Sequence, residues 1–437
     1  MTEESSSTLL RAVGRWGLAA LMLNTMVGAS IFGLPALIAA RLGNRSPLAY
    51  LVGAAAVAVI AACLSEVASQ FSDAGGPYLY ARAAFGRFTA IQIGWLTWLS
   101  RIAASSGVAN LFISYLGELV PAVKGPVPRV AILTILVAIL AAVNYRGVTG
   151  GSHLSNFFTV TKLLLLLLFV SAGCVAILLH PSIRLTQPSV PTTSPDWFDA
   201  VILMIYAYGG FEAALFIAGE ARNPRKDAPA ALLIALSTAT LLYILVQYVV
   251  IHTVPNAGAS TAPTLDAARR FLGPAAVWVV GTGVLLSAYG SLSANMLHIP
   301  RLTFAMADQG DFPPPFASIH PRFHTPAFSI VAYAVLLLVF SSLGDFRWNA
   351  TLGAMSRLFI YGSVAAALPA LRRQNPHADA FRLPAGNLFA LLALLITATL
   401  VTRLHVGDLI ILIITFAIGF INWAWTRRPP STGDTPA

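Results

Sequence analysis

Met26-Val27-Gly28-Ala29-Ser30-Ile31-Phe32-Gly33-Leu34-Pro35 is the stretch on which the fold turns. It lies inside the window Trp16 to Ala40, which holds no Asp, Glu, Lys or Arg and is long enough to cross a hydrocarbon core that needs about 20 apolar residues. Two glycines and a proline at its centre let the chain leave helical geometry without a Cβ penalty. Backbone freed in that way survives in lipid only where it lines a cavity. A second run of this kind, Tyr206-Ala207-Tyr208-Gly209-Gly210-Phe211-Glu212, stands in another apolar stretch far downstream.

Charge-free windows recur outward from the first: Leu163 to Leu179, Ala228 to Ile251, Gly273 to Leu297, Thr325 to Gly344 and Leu383 to Thr402. Of the 437 residues 57% are apolar and 10% charged, where soluble domains carry roughly 25% charged residues. Hydrophobic runs and Gly/Pro punctuation predict an all-α integral membrane protein of about twelve helices, near 16–40, 48–71, 88–118, 129–145, 153–179, 197–219, 229–251, 273–297, 325–343, 348–370, 384–402 and 407–426. The polar connections are too short to hold a core, so one transmembrane domain over 16–426 is expected, between a cytoplasmic segment 1–15 and a cytoplasmic tail 427–437. The apolar stretch after MTEESSSTLLRAVGRWG is too long for a signal-peptide core and lacks a cleavage pattern, which makes it the first span.

With both termini in the cytoplasm, Lys and Arg concentrate in the cytoplasmic connections. The formal charge of +10 is therefore a matter of topology and gives no reason to expect a nucleic-acid partner. Cys63 and Cys174 each fall in an apolar helix, so neither a disulfide nor a thiolate metal site is expected. Without an HExxH pattern, a phosphate loop or a Ser/His/Asp set in one leaflet, the sequence points away from an enzyme, an ATP-driven pump, and any metal or cofactor. A channel is disfavoured too, as nothing suggests filter loops or charged rings.

Pro77-Tyr-Leu-Tyr-Ala-Arg-Ala-Ala-Phe85, after the second helix, shares Pro, Leu, Ala and Phe with Pro263-Thr-Leu-Asp-Ala-Ala-Arg-Arg-Phe271, after the seventh. An odd helix offset puts such copies on opposite membrane faces, the signature of an inverted repeat. The expected architecture is five helices plus five, with repeat one over about 16–179, repeat two over about 197–370, discontinuous helices one and six, and two further helices over about 384–426.

In that architecture a zwitterion sits between the breaks. Its carboxylate would take the amides of Gly28, Ala29 and Ser30, in the loop that continues through Ile31, at the positive start of a half-helix. Its ammonium would meet carbonyls of Met26, Tyr206 and Gly209, with Ala207 alongside. The competing reading is that the glycines serve only close helix packing.

These residues resemble the amino acid-polyamine-organocation (APC) superfamily of secondary transporters. Gly28 to Pro35 is similar to the family's Gly-Ser-Gly-Ile-Phe loop, with Ser30 in place of its last Gly. Glu66, Gly75-Gly76-Pro77-Tyr78, Phe85-Gly86 and Gly94-Trp95 resemble the second helix, cytoplasmic re-entry and third helix. Asn144 to Val148, Gly219-Glu220 with Asn223-Pro224 and Pro229, and Arg301 with Met306-Ala307, Gly310 and Pro313 extend the match through about helix nine. The resemblance implies alternating access by an amino acid permease, in a multi-pass cell-membrane protein whose partners are its amino acid substrate and the lipid bilayer. No exposed cysteine or extracellular coiled-coil pattern suggests a partner subunit, so the monomer is the default.

Arg101, Lys162 and Arg357 fall within the expected spans alongside Glu66 and Glu212, and intramembrane charges are functional candidates by default. By resemblance Lys162, in Thr159-Val-Thr-Lys162, stands where sodium-coupled relatives bind a cation. Removal from water disfavours an ammonium, so it is the proton-coupling candidate; the alternative is a fixed brace for helix one. Arg101, in a helix that lines the side-chain pocket of relatives, either pairs with a substrate carboxylate or neutralises Glu66 or Glu212. Ser105 and Tyr208 join it as selectivity candidates, Tyr206 and Tyr208 as aromatic gates, and Glu212 as support for the broken helix. Arg357 carries no interpretable motif. The alternative function is a transporter-like receptor that binds an amino acid without flux.

Overall fold

In the computed structural model the chain is described over residues 14–71, 76–147, 151–180, 194–212, 224–376 and 380–426, with no side chain described at 29–30, 151–159, 224–226 or 228. Residues 1–13, Gly75, Val148, the motif from Gly219 to Asn223 and the tail 427–437 lie outside these ranges.

Every regular element among the described residues is helical. The first expected helix is two: α1 (Arg15–Met26) stops at Val27, a short 3-10 turn covers Ala29–Phe32, and α2 (Leu34–Leu42) resumes. Pro35 sits in the first turn of α2, where its missing N–H has no intrahelical partner to lose. Then come α3 (Ser46–Ala68), α4 (Gly76–Phe85), α5 (Arg87–Leu119), α6 (Pro126–Tyr145), α7 (Gly151–Leu179) and α8 (Trp197–Ala207). After the undescribed connection follow α9 (Pro224–Thr253), α10 (Pro263–Leu272), α11 (Ala276–Asp308), α12 (Ala327–Leu343), α13 (Phe346–Gln374), α14 (Gly386–Val401) and α15 (Val406–Thr426).

Seven stretches among the described residues are long and apolar enough to cross a membrane, and three shorter helices are comparably apolar. Leu164, Leu167, Leu168, Leu391, Leu395, Ile413 and Ile414 are exposed, while Ser100, Asn110, Lys162, Glu212, Gln247 and Arg357 are buried. Apolar side chains outward and polar ones inward is the arrangement lipid demands, since charges in a bilayer turn to the bundle interior.

The order of elements recurs. Among the described residues, a helix that ends in unwound backbone (α1, α8) precedes a long helix (α3, α9), a ten-residue helix (α4, α10) and a 33-residue helix (α5, α11). The short helices carry the two similar nine-residue sequences. Each is followed by a glycine of positive φ and extended ψ, Gly86 (86°, −178°) and Gly273 (75°, −171°).

Punctuation misled the boundaries at two places. α11 runs past Pro300 to Asp308, because a proline removes one hydrogen bond and the buried Thr303, Met306 and Ala307 continue the packed face. α9 begins at Pro224 and carries Pro229 near its start.

Candidate functional site

The two breaks lie against each other. At the end of α1 the Val27 amide donates to Leu23 O (2.8 Å) and the Gly28 amide turns back to Met26 O (2.8 Å). Across from it, Gly210 has φ +115°, and a Cβ there would meet the Thr25 carbonyl oxygen at 2.6 Å. Only glycine satisfies both the torsion and the approach. The Thr25 hydroxyl donates to Gly210 O at 2.9 Å. From α9, the Tyr243 hydroxyl stands between Met26 O (2.8 Å) and Ala207 O (3.1 Å), so one donor serves both breaks.

The charges gather on the same turn. Glu212 is 5% exposed; its Oε1 accepts from Arg101 (3.3 Å), and its Oε2 from the Gly210 amide (2.8 Å) and the Tyr361 hydroxyl (3.4 Å). The carboxylate thus ties the unwound turn of α8 to α5 and α13. Arg357, on α13, donates to Tyr206 O at 3.3 Å, and its guanidinium lies so close over Gly209 that a Cβ would overlap it. A cavity of about 20 Å³ is lined by Pro77, Ser100, Arg101, Glu212, Arg357 and Tyr361 among others. That is room for about one water.

Of the partners left open for Arg101, Glu212 is the one it has. Glu66 is held instead by Arg372, through two bonds of 2.7 Å, and by the Leu383 amide at 2.9 Å. Lys162 Nζ donates to Asn24 O (2.9 Å) and Asn24 Oδ1 (3.0 Å). Asn24 is in the last turn of α1, where a cation is favoured by the helix dipole.

Other expected site residues point elsewhere. Ser105 accepts from Tyr333 (2.7 Å) and Asn295 (2.9 Å), on the side of α5 turned to α12 and α11. The Tyr208 hydroxyl donates to Tyr50 O (2.9 Å), and its ring packs in a tyrosine cluster with Tyr243 and Tyr50. The Tyr206 hydroxyl donates to Ala104 O (3.3 Å), and its ring meets Phe346 edge-on. Ile31 and Ala207 are buried, and the side chains of Ala29 and Ser30 lie outside the described residues.

Sequence reasoning gave Arg357 no role and missed Tyr243 and Tyr361. An Arg inside an apolar window was the one signal for the first. The tyrosines carried none, because an aromatic on a membrane helix is commonplace.

The amino acid permease profile matches residues 13–422. The chain is similar to the methylthioribose transporter of Bacillus subtilis, 26% identical over 87% of this chain and 86% of that one. It is 25% identical to the branched-chain amino acid permease BcaP of the same organism, over 97% and 94% of the two chains. With the Bacillus subtilis serine/threonine exchanger SteT it shares 24% identity, over 74% and 75%. A match across almost the whole length, on a helical membrane protein with a broken first helix, places the chain in the amino acid permease family, a family of membrane transporters and not of enzymes.

Proposed function

We propose that the protein carries amino acids, or closely related solutes with an amino group, across the cell membrane by alternating access. The observation that carries this reading is the pair of opposed backbone breaks at Met26–Gly28 and Ala207–Gly210, bridged by Tyr243 and Thr25. Unwound backbone in the middle of a bundle is the usual seat of a transporter's substrate.

The reading has twelve spans, both termini in the cytoplasm, and the two halves inverted, as the recurring order of elements supports. Arg41 at the end of α2 pairs with Asp199 at the start of α8 (2.6 Å), with Arg347 of α13 at 3.5 Å. That cluster is the outer clasp. At the other face Asp311 accepts from Arg87 (2.5 Å) and Tyr78 and pairs with Arg82 (3.3 Å); this is the inner clasp, joining α4 and α5 to the end of α11. A cavity that holds one water admits no amino acid, so one clasp opens for each half of the cycle.

Lys162 supplies the positive charge at the end of α1, which supports sodium independence with proton coupling or exchange. The test is uptake of each radiolabelled amino acid into liposomes preloaded with unlabelled amino acids, with and without sodium and a pH gradient. Saturable uptake without sodium is expected. Binding without uptake under every gradient would replace transport by reception.

A further inference from the structure

Arg357 is a cation for which alternating access gives no task. It is 6% exposed, lines the cavity, and makes one hydrogen bond, to Tyr206 O. Among the described residues it forms no ion pair, because both oxygens of Glu212 are engaged by Arg101, the Gly210 amide and Tyr361. The undescribed 213–223 bring one acid, Glu220, and one base, Arg222, and leave the formal balance unchanged. His298, the neighbouring titratable group of Arg101 on α11, adds no anion.

Two guanidiniums therefore share one carboxylate, with Arg357 and Glu212 buried and Arg101 partly exposed. A guanidinium keeps its charge at any physiological pH and offers five donors in a fork shaped for a carboxylate. An intramembrane ion without a counter-ion is costly, and bundles as a rule supply one. Arg357 also holds the Tyr206 carbonyl that a substrate ammonium was expected to meet, and it would repel a cationic solute there.

We infer that the missing counter-ion is the solute: the pocket takes a small organic solute of net negative charge, such as an amino acid with a second carboxylate, which docks on Arg357 and Arg101. The inference rests on the transport reading and narrows it to one charge class. Neutral and cationic amino acids carry only the α-carboxylate, which this reading commits to the amides of Gly28, Ala29 and Ser30, and so bring no second carboxylate to the pocket.

The experiment compares uptake of radiolabelled aspartate, glutamate, succinate, leucine, serine and lysine by the full chain in liposomes, and thermal stabilisation of the purified protein by the same six. Aspartate, glutamate or succinate is expected to be carried at least tenfold faster than the others and to raise the melting temperature. Arg357→Gln should abolish that preference, and Arg357→Lys should retain part of it. Arg101→Gln, at a half-buried position, repeats the test should Arg357→Gln fail to elute as a folded species. Uptake of leucine, serine or lysine with none of the anions would overturn the inference and leave transport standing. Stabilisation by an anion without any uptake would do the reverse. If none of the six is carried or stabilises, the inference falls.

Discussion

At the scale of single residues, Gly210 has little freedom to change. A side chain there meets both a left-handed torsion, worth about 1–3 kcal/mol, and the Thr25 carbonyl at 2.6 Å, which is backbone and has nowhere to rotate. Gly210→Ala is expected to abolish uptake and lower the melting temperature. Gly407→Ala, with nothing within 4 Å of the added Cβ, should leave both intact. Equal effects of the two would mean that the breaks do not touch as described. The glycines themselves were legible in the sequence, since small residues and a proline inside an apolar window have few other uses. What they touch was not: Arg357 and Tyr206 are 151 positions apart, and no local periodicity encodes that meeting.

At the scale of elements, the ends of helices were read closely wherever a charge or a proline stood in lipid-length sequence, and less well where proline lay inside a packed face, as in α11. The clasp on Glu66 shows what local reading leaves out. Its carboxylate, 1% exposed as a side chain, accepts two bonds from Arg372 and one from the Leu383 amide, so one residue of α3 secures the end of α13 and the entry to α14. Truncating one partner of a buried, hydrogen-bonded pair costs about 3–5 kcal/mol. Glu66→Ala should accordingly lower the melting temperature by several degrees and expose the connection before α14 to limited proteolysis. An unchanged cleavage pattern would show that α14 is held by its apolar packing alone.

At the scale of the whole molecule, the two proposed ionic clasps flank a centre whose cavity has room for about one water. The nine-residue sequences with four identities fall on α4 and α10, which hold corresponding places in the order α1, α3, α4, α5 and α8, α9, α10, α11. The charge balance of the centre was invisible until the side chains were placed. It has an electrical consequence. The surplus guanidinium of an empty pocket lies within the voltage drop of an energised membrane, which acts on a unit charge with about 2.3 kcal/mol per 100 mV. When access passes from one face to the other, that charge changes its position in the field even if its atoms hardly move. A singly anionic solute cancels it. The return of the empty carrier should then be the step that voltage governs, and a potassium diffusion potential imposed on the same liposomes should alter net uptake while leaving one-for-one exchange unchanged.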